Sequence, residues 1–187
     1  MILNRVYRRV FDEVAKLASF LRIVQLRLKY GGAHINFACH ISRGCLISCS
    51  VGSQLILDNV YVAPHAVLIA DGGGKLSVTN SYIGFGSVIV ADLSIEINDN
   101  CALAEMVVIR DQDHRFGNAV DLNTSGSENS PIRVGRNVWI GSKATVLRGV
   151  SIGDNCVIGA SSVVTKDVAV GSLAVGIPAK VIKQIGA

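Results

Sequence analysis

A six-residue spacing constrains this chain more than any other feature. Val134, Ile140, Val146, Ile152, Ile158, Val164 and Val170 follow one another at intervals of six without a slip. Gly follows four of these anchors, at Gly135, Gly141, Gly153 and Gly159. Four residues after each anchor through Val164 stands a small or modest side chain: Val138, Ala144, Val150, Cys156, Ser162 and Val168. Shorter runs of the same pattern begin at Val62 and Ile83, continue through Ile89 and Ile95, and reset at Ile97, Leu103 and Ile109. The shifts between runs mark residues inserted at corners, as at Asp71-Gly72-Gly73-Gly74.

A β-strand alternates its faces every two residues and cannot by itself make a period of six. A coil of short strands joined by tight corners can. Each hexad then forms one flat side, the anchor points inward, and Gly or a small residue permits the bend. Three hexads close one turn, and turns stack ~4.8 Å apart through parallel backbone hydrogen bonds. The interior is a narrow column of Val, Ile and Leu, which accounts for only 5% aromatic residues in a chain that is 50% hydrophobic. Cys101 and Cys156 fall at small inward positions and read as core. The five cysteines are odd in number, which fits a reduced, cytosolic protein.

The formal net charge of +4 is unevenly spread over the 187 residues. Residues 1–30 hold seven basic groups (Arg5, Arg8, Arg9, Lys16, Arg22, Arg27, Lys29) against Asp12 and Glu13, so this segment is +5 and the rest is −1. Its apolar residues Val6, Val10, Val14, Leu17, Leu21 and Val24 recur at spacings of three and four, which predicts an amphipathic helix over 1–30. Such a helix packs its apolar stripe against its own domain, or docks on an anionic membrane or a biosynthetic partner. No basic patch with interleaved aromatics occurs elsewhere, which argues against nucleic acid. No stretch reaches the ~18–20 apolar residues of a spanning helix, and the start lacks an apolar signal core. The expected location is cytoplasmic, with the inner face of the membrane as the peripheral alternative.

The repeat breaks once. After Ile109 comes Arg110-Asp111-Gln112-Asp113-His114-Arg115, then a polar segment through Ser130 containing Gly117, Asn118, Asn123, Gly126 and Asn129. This predicts a loop over 110–131 extruded from one corner.

Asn137-Val138-Trp139-Ile140-Gly141-Ser142, the run Ile158–Asp167 and Gly176-Ile177-Pro178-Ala179-Lys180 resemble the hexapeptide-repeat acyltransferases. The likeness is most specific across 97–185 and implies an all-β, left-handed parallel β-helix over 31–177, with a short C-terminal helix over 178–187. The left hand comes from the resemblance alone, since ordinary crossovers favour the right. Within the family the chain is most similar to sugar O-acetyltransferases, both the maltose and galactoside type and those modifying capsule or O-antigen polysaccharides. That implies acetyl-CoA as co-substrate, a saccharide acceptor, no metal, and a homotrimer with sites between subunits. Converging histidines for a metal-dependent hydratase are not expected, since none follows His114 and His34, His40 and His65 lie scattered.

The resemblance also assigns roles. His114 matches the catalytic histidine of the extruded loop. An alcohol is a poor nucleophile near neutral pH, and imidazole, with an unperturbed pKa of ~6.5, suits removal of its proton. Asp92 and Trp139 match acceptor-binding positions; Asp113, with Asp111, could orient His114. Ser142, Ala160, Thr165 and Lys166 match positions along the coenzyme A groove, and Lys180 and Lys183, three apart on the expected terminal helix, would lie beside its phosphates. Gly84 stands where the maltose-type enzymes use an asparagine, while Arg115 and Ala169 replace prolines. These departures leave the acceptor open: N-acetylation of an amino-sugar nucleotide, xenobiotic acetylation and a non-catalytic scaffold are the competing readings.

Overall fold

The computed structural model describes residues 2–117, 121 and 124–185, with side chains from residue 12 onward. The side chains of Arg5, Val6, Arg8, Arg9 and Val10, and loop residues Asn118 and Asn123, lie outside the described residues.

The hexads wind into a three-sided prism, the left-handed parallel β-helix the repeat and its resemblance imply. Parallel pairing sorts the short strands into three sheets, each receiving one strand from each of six coils. The first sheet runs from Ala33–Ile35 through Ser94–Ile97 to Ser151–Ile152. The second runs from His40–Ile41 through Trp139–Ile140 to Val157–Ile158, and continues into Ser172–Val175. The third runs from Leu46–Cys49 through Val108–Arg110 to Val163–Val164.

Register turns the anchors into three aliphatic ladders. Ile41, Val62, Ile83, Leu103, Ile140, Ile158 and Ala174 stack on the second side. Ile35, Leu57, Val78, Ile97, Val134 and Ile152 stack on the first. Ile47, Leu68, Ile89, Ile109, Val146 and Val164 stack on the third. All are buried, and each large member stabilises the column by roughly 1.5–3 kcal/mol. Cys101 and Cys156 are buried with them, their Sγ atoms donating to Gly135 O and Ala169 O at 3.0 Å.

The corner between the first and second sheets is made by an asparagine ladder. Asn59, Asn80, Asn100, Asn137 and Asn155 all have φ between 42° and 59°, a conformation asparagine tolerates better than other branched side chains. Their amides bond along the stack, Asn100 Nδ2 to Asn137 Oδ1 and Asn137 Nδ2 to Asn155 Oδ1, both at 2.8 Å.

Several expectations change. The glycine after an anchor does not make the bend. Gly141 lies outside the positive-φ set; a Cβ there would fall 2.6 Å from Ala160 N in the next coil, so close stacking excludes a side chain. The bend at that corner falls to Lys143, φ 59°. The coil is not uniformly three hexads: Arg133 pairs with Ser151, 18 residues on, but Leu55 with Leu76 and Ala33 with Leu55, 21 and 22 residues on. Val170 is no inward anchor. It is 62% exposed, because the last coil is shorter and brings Val168 beside Ile152.

The C-terminal segment is a strand, not a helix. Lys180–Gln184 pairs antiparallel with Ser172–Val175. The final coil leaves an open edge whose backbone groups need partners, and β-branched Val181 and Ile182 suit a strand. The segment 110–131 is likewise more ordered than a loop: Gln112–His114 and Ser127–Asn129 pair as a hairpin stem.

The N-terminal segment is the expected helix, α1 (Ile2–Lys29), which packs on the strands of the first coil. The expected packing of its apolar stripe on its own domain is overturned. Val14, Leu17 and Leu21 are 57–60% exposed, while Ser19 and Ile23 are buried. Ser19 Oγ accepts from Ile41 N at 2.8 Å, and Arg22 Nη1 donates to Ile41 O at 2.9 Å. Ser19 and Arg22, beside the buried Ile23, thus satisfy the open backbone groups of Ile41 in the first coil, which a wholly apolar face could not do.

Candidate active site

The third corner, between the third and first sheets, carries the site residues in successive coils. Asp92 lies there one coil before the hairpin that bears His114. Asp111, at the root of the hairpin, is fully buried. Its carboxylate accepts from the backbone N–H groups of Asp92, Leu93 and Ser94 at 2.9, 2.8 and 2.7 Å. Asp111 therefore holds the corner of the preceding coil and does not reach His114. Its position two residues after inward Ile109 carried the signal, since strand alternation turns both to the same side.

Asp113 also turns from His114. Arg148, in the next coil at the same corner, donates from Nε to Asp113 Oδ2 and from Nη2 to Glu128 Oε2, both at 2.8 Å. One guanidinium thus clamps both strands of the hairpin to the prism. Sequence reasoning missed Arg148 and Glu128, and no spacing rule links residues 20 and 35 positions apart. His114 pairs with Ser127 across the stem and is exposed, and its ring bonds to no described side chain.

Asp92 is half-buried. Burial first, then the like charges of Asp111 and Asp71, push its carboxyl above the usual carboxylate range, with Arg110 opposing. It accepts no hydrogen bond from a described residue. Thr165 and Lys166 stand exposed at this corner in the last coil.

The remaining site residues lie elsewhere on the prism. Trp139, 56% exposed, projects from the second sheet between Ala102 and Val157, the side opposite the third corner. Ser142 and Ala160 flank the adjoining corner in stacked coils, with Ser161 N donating to Ser142 O at 2.8 Å. Lys180 and Lys183 face outward on the terminal strand. They share one side, as expected, but by a different device: a bulge places Lys183 opposite Leu173 and Lys180 opposite Val175, and facing residues project to the same side. Neither these lysines nor Lys166 ion-pairs with a described residue.

Two of the three departures from the maltose-type pattern have physical reasons. A Cβ at Gly84 would collide with the backbone of Ala104 and Glu105 in the next coil, so asparagine does not fit. Arg115 N donates to Gly126 O at 3.1 Å across the hairpin, a bond proline cannot make. The structure gives no reason for Ala169. Among the described residues no three His, Cys, Asp or Glu stand together as a metal would require. One concave surface of about 450 Å³ runs along the second sheet beside His40, Tyr61, Tyr82 and Ala102.

Comparison with known proteins agrees with this architecture. Residues 131–166 match the family described as bacterial transferase hexapeptide (six repeats). A probable acetyltransferase of Mycobacterium tuberculosis is 42% identical over 126 residues, which is 67% of this chain and 42% of that protein. The galactoside O-acetyltransferase of Escherichia coli is 39% identical over 129 residues, 68% of this chain and 62% of that enzyme. The chain thus spans about two fifths to three fifths of the length of these curated relatives. Among solved structures, a maltose O-acetyltransferase from Clostridium difficile 630 superimposes with TM-score 0.55 at 30% identity, covering 87% of this chain and 73% of that one. The polySia-specific acetyltransferase NeuO superimposes with TM-score 0.56 at 25% identity, covering 84% and 88%. With its stacked hexads, the hairpin extruded at the third corner and relatives of this kind, the chain belongs to the hexapeptide-repeat acyltransferases.

Proposed function

We propose that this protein transfers an acetyl group from acetyl-CoA to a hydroxyl of a bacterial surface saccharide, such as a capsule or O-antigen sugar, at sites shared between copies of the chain. One observation carries the reading. The site residues divide into two sets on opposite sides of the prism: Asp92, the His114 hairpin, Thr165 and Lys166 on the third corner; Trp139, Ser142, Ala160, Lys180 and Lys183 on or beside the second sheet. They complete one another only when the corner of one copy meets the sheet of the next. A head-to-tail contact whose rotation closes gives a ring, and a ring of three gives three equivalent sites.

In that site His114 removes the proton from the acceptor hydroxyl as its oxygen attacks the thioester carbonyl. The tetrahedral intermediate collapses, the C–S bond breaks, and the imidazolium returns its proton to the departing thiolate. The products are the sugar ester and CoA. No acyl-cysteine is needed. Asp92 accepts from a sugar hydroxyl, Trp139 offers an apolar ring face, and Lys166, Lys180 and Lys183 neutralise CoA phosphates. The galactoside, maltose and polySia specificities of the relatives support a saccharide acceptor. The five cysteines are all free, which suits the cytoplasm, where acetyl-CoA is made.

The test is CoA release with galactosides, maltose and capsular or O-antigen saccharides, with the new ester located by NMR. His114→Ala should lower turnover by ~10² or more. Near-normal turnover with an unchanged circular dichroism spectrum would refute its role, and a fully active stable monomer by native mass spectrometry would end the shared-site account.

A further inference from the structure

Among the described residues, four apolar side chains along one side of α1 are left largely uncovered. Ser19, Arg22 and Ile23 face the first coil. On the opposite side, at helical spacings of three, four and seven, Val14, Leu17, Leu21 and Leu28 are 58%, 60%, 57% and 83% exposed. The same spacing runs back in the sequence through Val10, Tyr7 and Leu3. At one flank Phe20 packs tilted against Phe37 with ring centroids 5.2 Å apart, and the Arg27 guanidinium lies 4.8 Å from the centre of the Phe37 ring. Both rings are about half exposed, Phe20 at 47% and Phe37 at 52%. A soluble surface seldom leaves so continuous an apolar strip uncovered.

We infer that α1 lies in the plane of an anionic lipid surface, apolar stripe downward, with the prism standing end-on above it. Three observations favour lipid over a second copy of the helix. Residues 1–30 carry a net charge of +5 while the rest of the chain carries −1, so helix-to-helix pairing concentrates like charge and an anionic surface relieves it. Aromatic rings and Arg27 border the stripe, the arrangement of side chains that anchor at a headgroup boundary. Finally, the main packing of the helix is on the first two strands of the prism, Ala33–Ile35 and His40–Ile41, so its free side points away from the body and a flat surface can approach without collision. No helix among the described residues is long and apolar enough to cross a membrane; α1 rests on the surface. Three inter-coil spacings of ~4.8 Å plus a helix diameter of ~10 Å put the coil bearing His114 roughly 25 Å above that surface.

The inference does not depend on acetyl transfer: vesicle binding reads α1, whereas turnover reads His114. The full chain is floated with phosphatidylcholine vesicles and with vesicles of mixed phosphatidylcholine and phosphatidylglycerol. The protein should float with the anionic vesicles, stay behind with the neutral ones, and be released by high salt. Each Lys or Arg near an anionic surface multiplies partitioning roughly fivefold, so Arg27→Gln with Lys29→Gln should weaken it roughly 25-fold. Leu17→Asp with Leu21→Asp should abolish flotation, and these exposed positions leave the melting temperature of the prism unchanged. Failure of the unmodified chain to float with anionic vesicles overturns the inference. So does unimpaired flotation of the Leu17→Asp/Leu21→Asp protein. Loss of oligomer mass in that variant, without flotation of the parent, assigns the stripe to a second copy instead.

Discussion

Replacing Asp111 by Ala tests how the third corner is held. In the native corner its fully buried carboxylate accepts three backbone hydrogen bonds, at 2.9, 2.8 and 2.7 Å. A hydrogen bond to a charged group contributes about 1.5–3 kcal/mol net, so three taken separately would give about 4.5–9. That sum is an upper bound. Leu93 is exposed and Asp92 and Ser94 are half-buried, so water replaces part of what the alanine removes. The three bonds also share one acceptor and are not additive. A loss of about 3 kcal/mol is the reasoned value. In a chain of this size, 1 kcal/mol moves the melting temperature by about 2–4 °C, so Asp111→Ala should melt about 6–12 °C lower. Asp111→Asn keeps one carbonyl oxygen but turns an NH₂ toward N–H donors, and should lose nearly as much. The assay is urea unfolding followed by far-ultraviolet circular dichroism, with a constant m-value as the control for an unchanged unfolding reaction. A loss below about 1 kcal/mol in Asp111→Ala would refute the reasoning, because the three bonds would then have been replaced fully by solvent.

Arg148→Met keeps the aliphatic stem but unclamps Asp113 and Glu128. These ion pairs are partly solvated, so the expected stability loss is only about 1 kcal/mol, while kcat for acetyl transfer falls about three- to tenfold as the hairpin loosens; unchanged kcat would show that His114 is positioned without the clamp. Asp92→Asn separates stability from activity. The folded state raises the Asp92 pKa, so the stability from its neutral form is complete below the unfolded value of ~3.9 and is lost as pH rises through the folded value. The variant cannot ionise, so it should melt higher than the parent at neutral pH, with the gap closing below about pH 4. Melting curves across that range decide it, and lower stability at neutral pH would contradict the assignment.

Reading the chain as a string already determines its column. Spacing says which residues point inward wherever the coil keeps its length, because a hexad is a local rule; it fails at Val170, where the last coil shortens. Thus Ile140, Ile158 and Cys156 are placed from sequence. The break after Ile109 is equally visible there, since a run of charged and amide residues cannot continue an aliphatic ladder.

What the string leaves open are the relations between coils. Whether Asp111 orients His114 or ties down Asp92–Ser94 depends on which backbone N–H groups the neighbouring coil presents to it. The clamp of Arg148 on Asp113 and Glu128 joins residues brought together only after an insertion has folded back on itself. The terminal segment becomes a strand because the last coil ends in unpaired backbone groups, and α1 turns Ser19 and Arg22 inward beside Ile23 because the first coil does the same. At both ends the demand of an open sheet edge for hydrogen bonds outweighs the preference written in local periodicity. The separation of His114 from Trp139 is likewise a fact of three dimensions. Stacking sets one residue on a corner and the other on the opposite sheet, and only a second copy can bring such positions face to face.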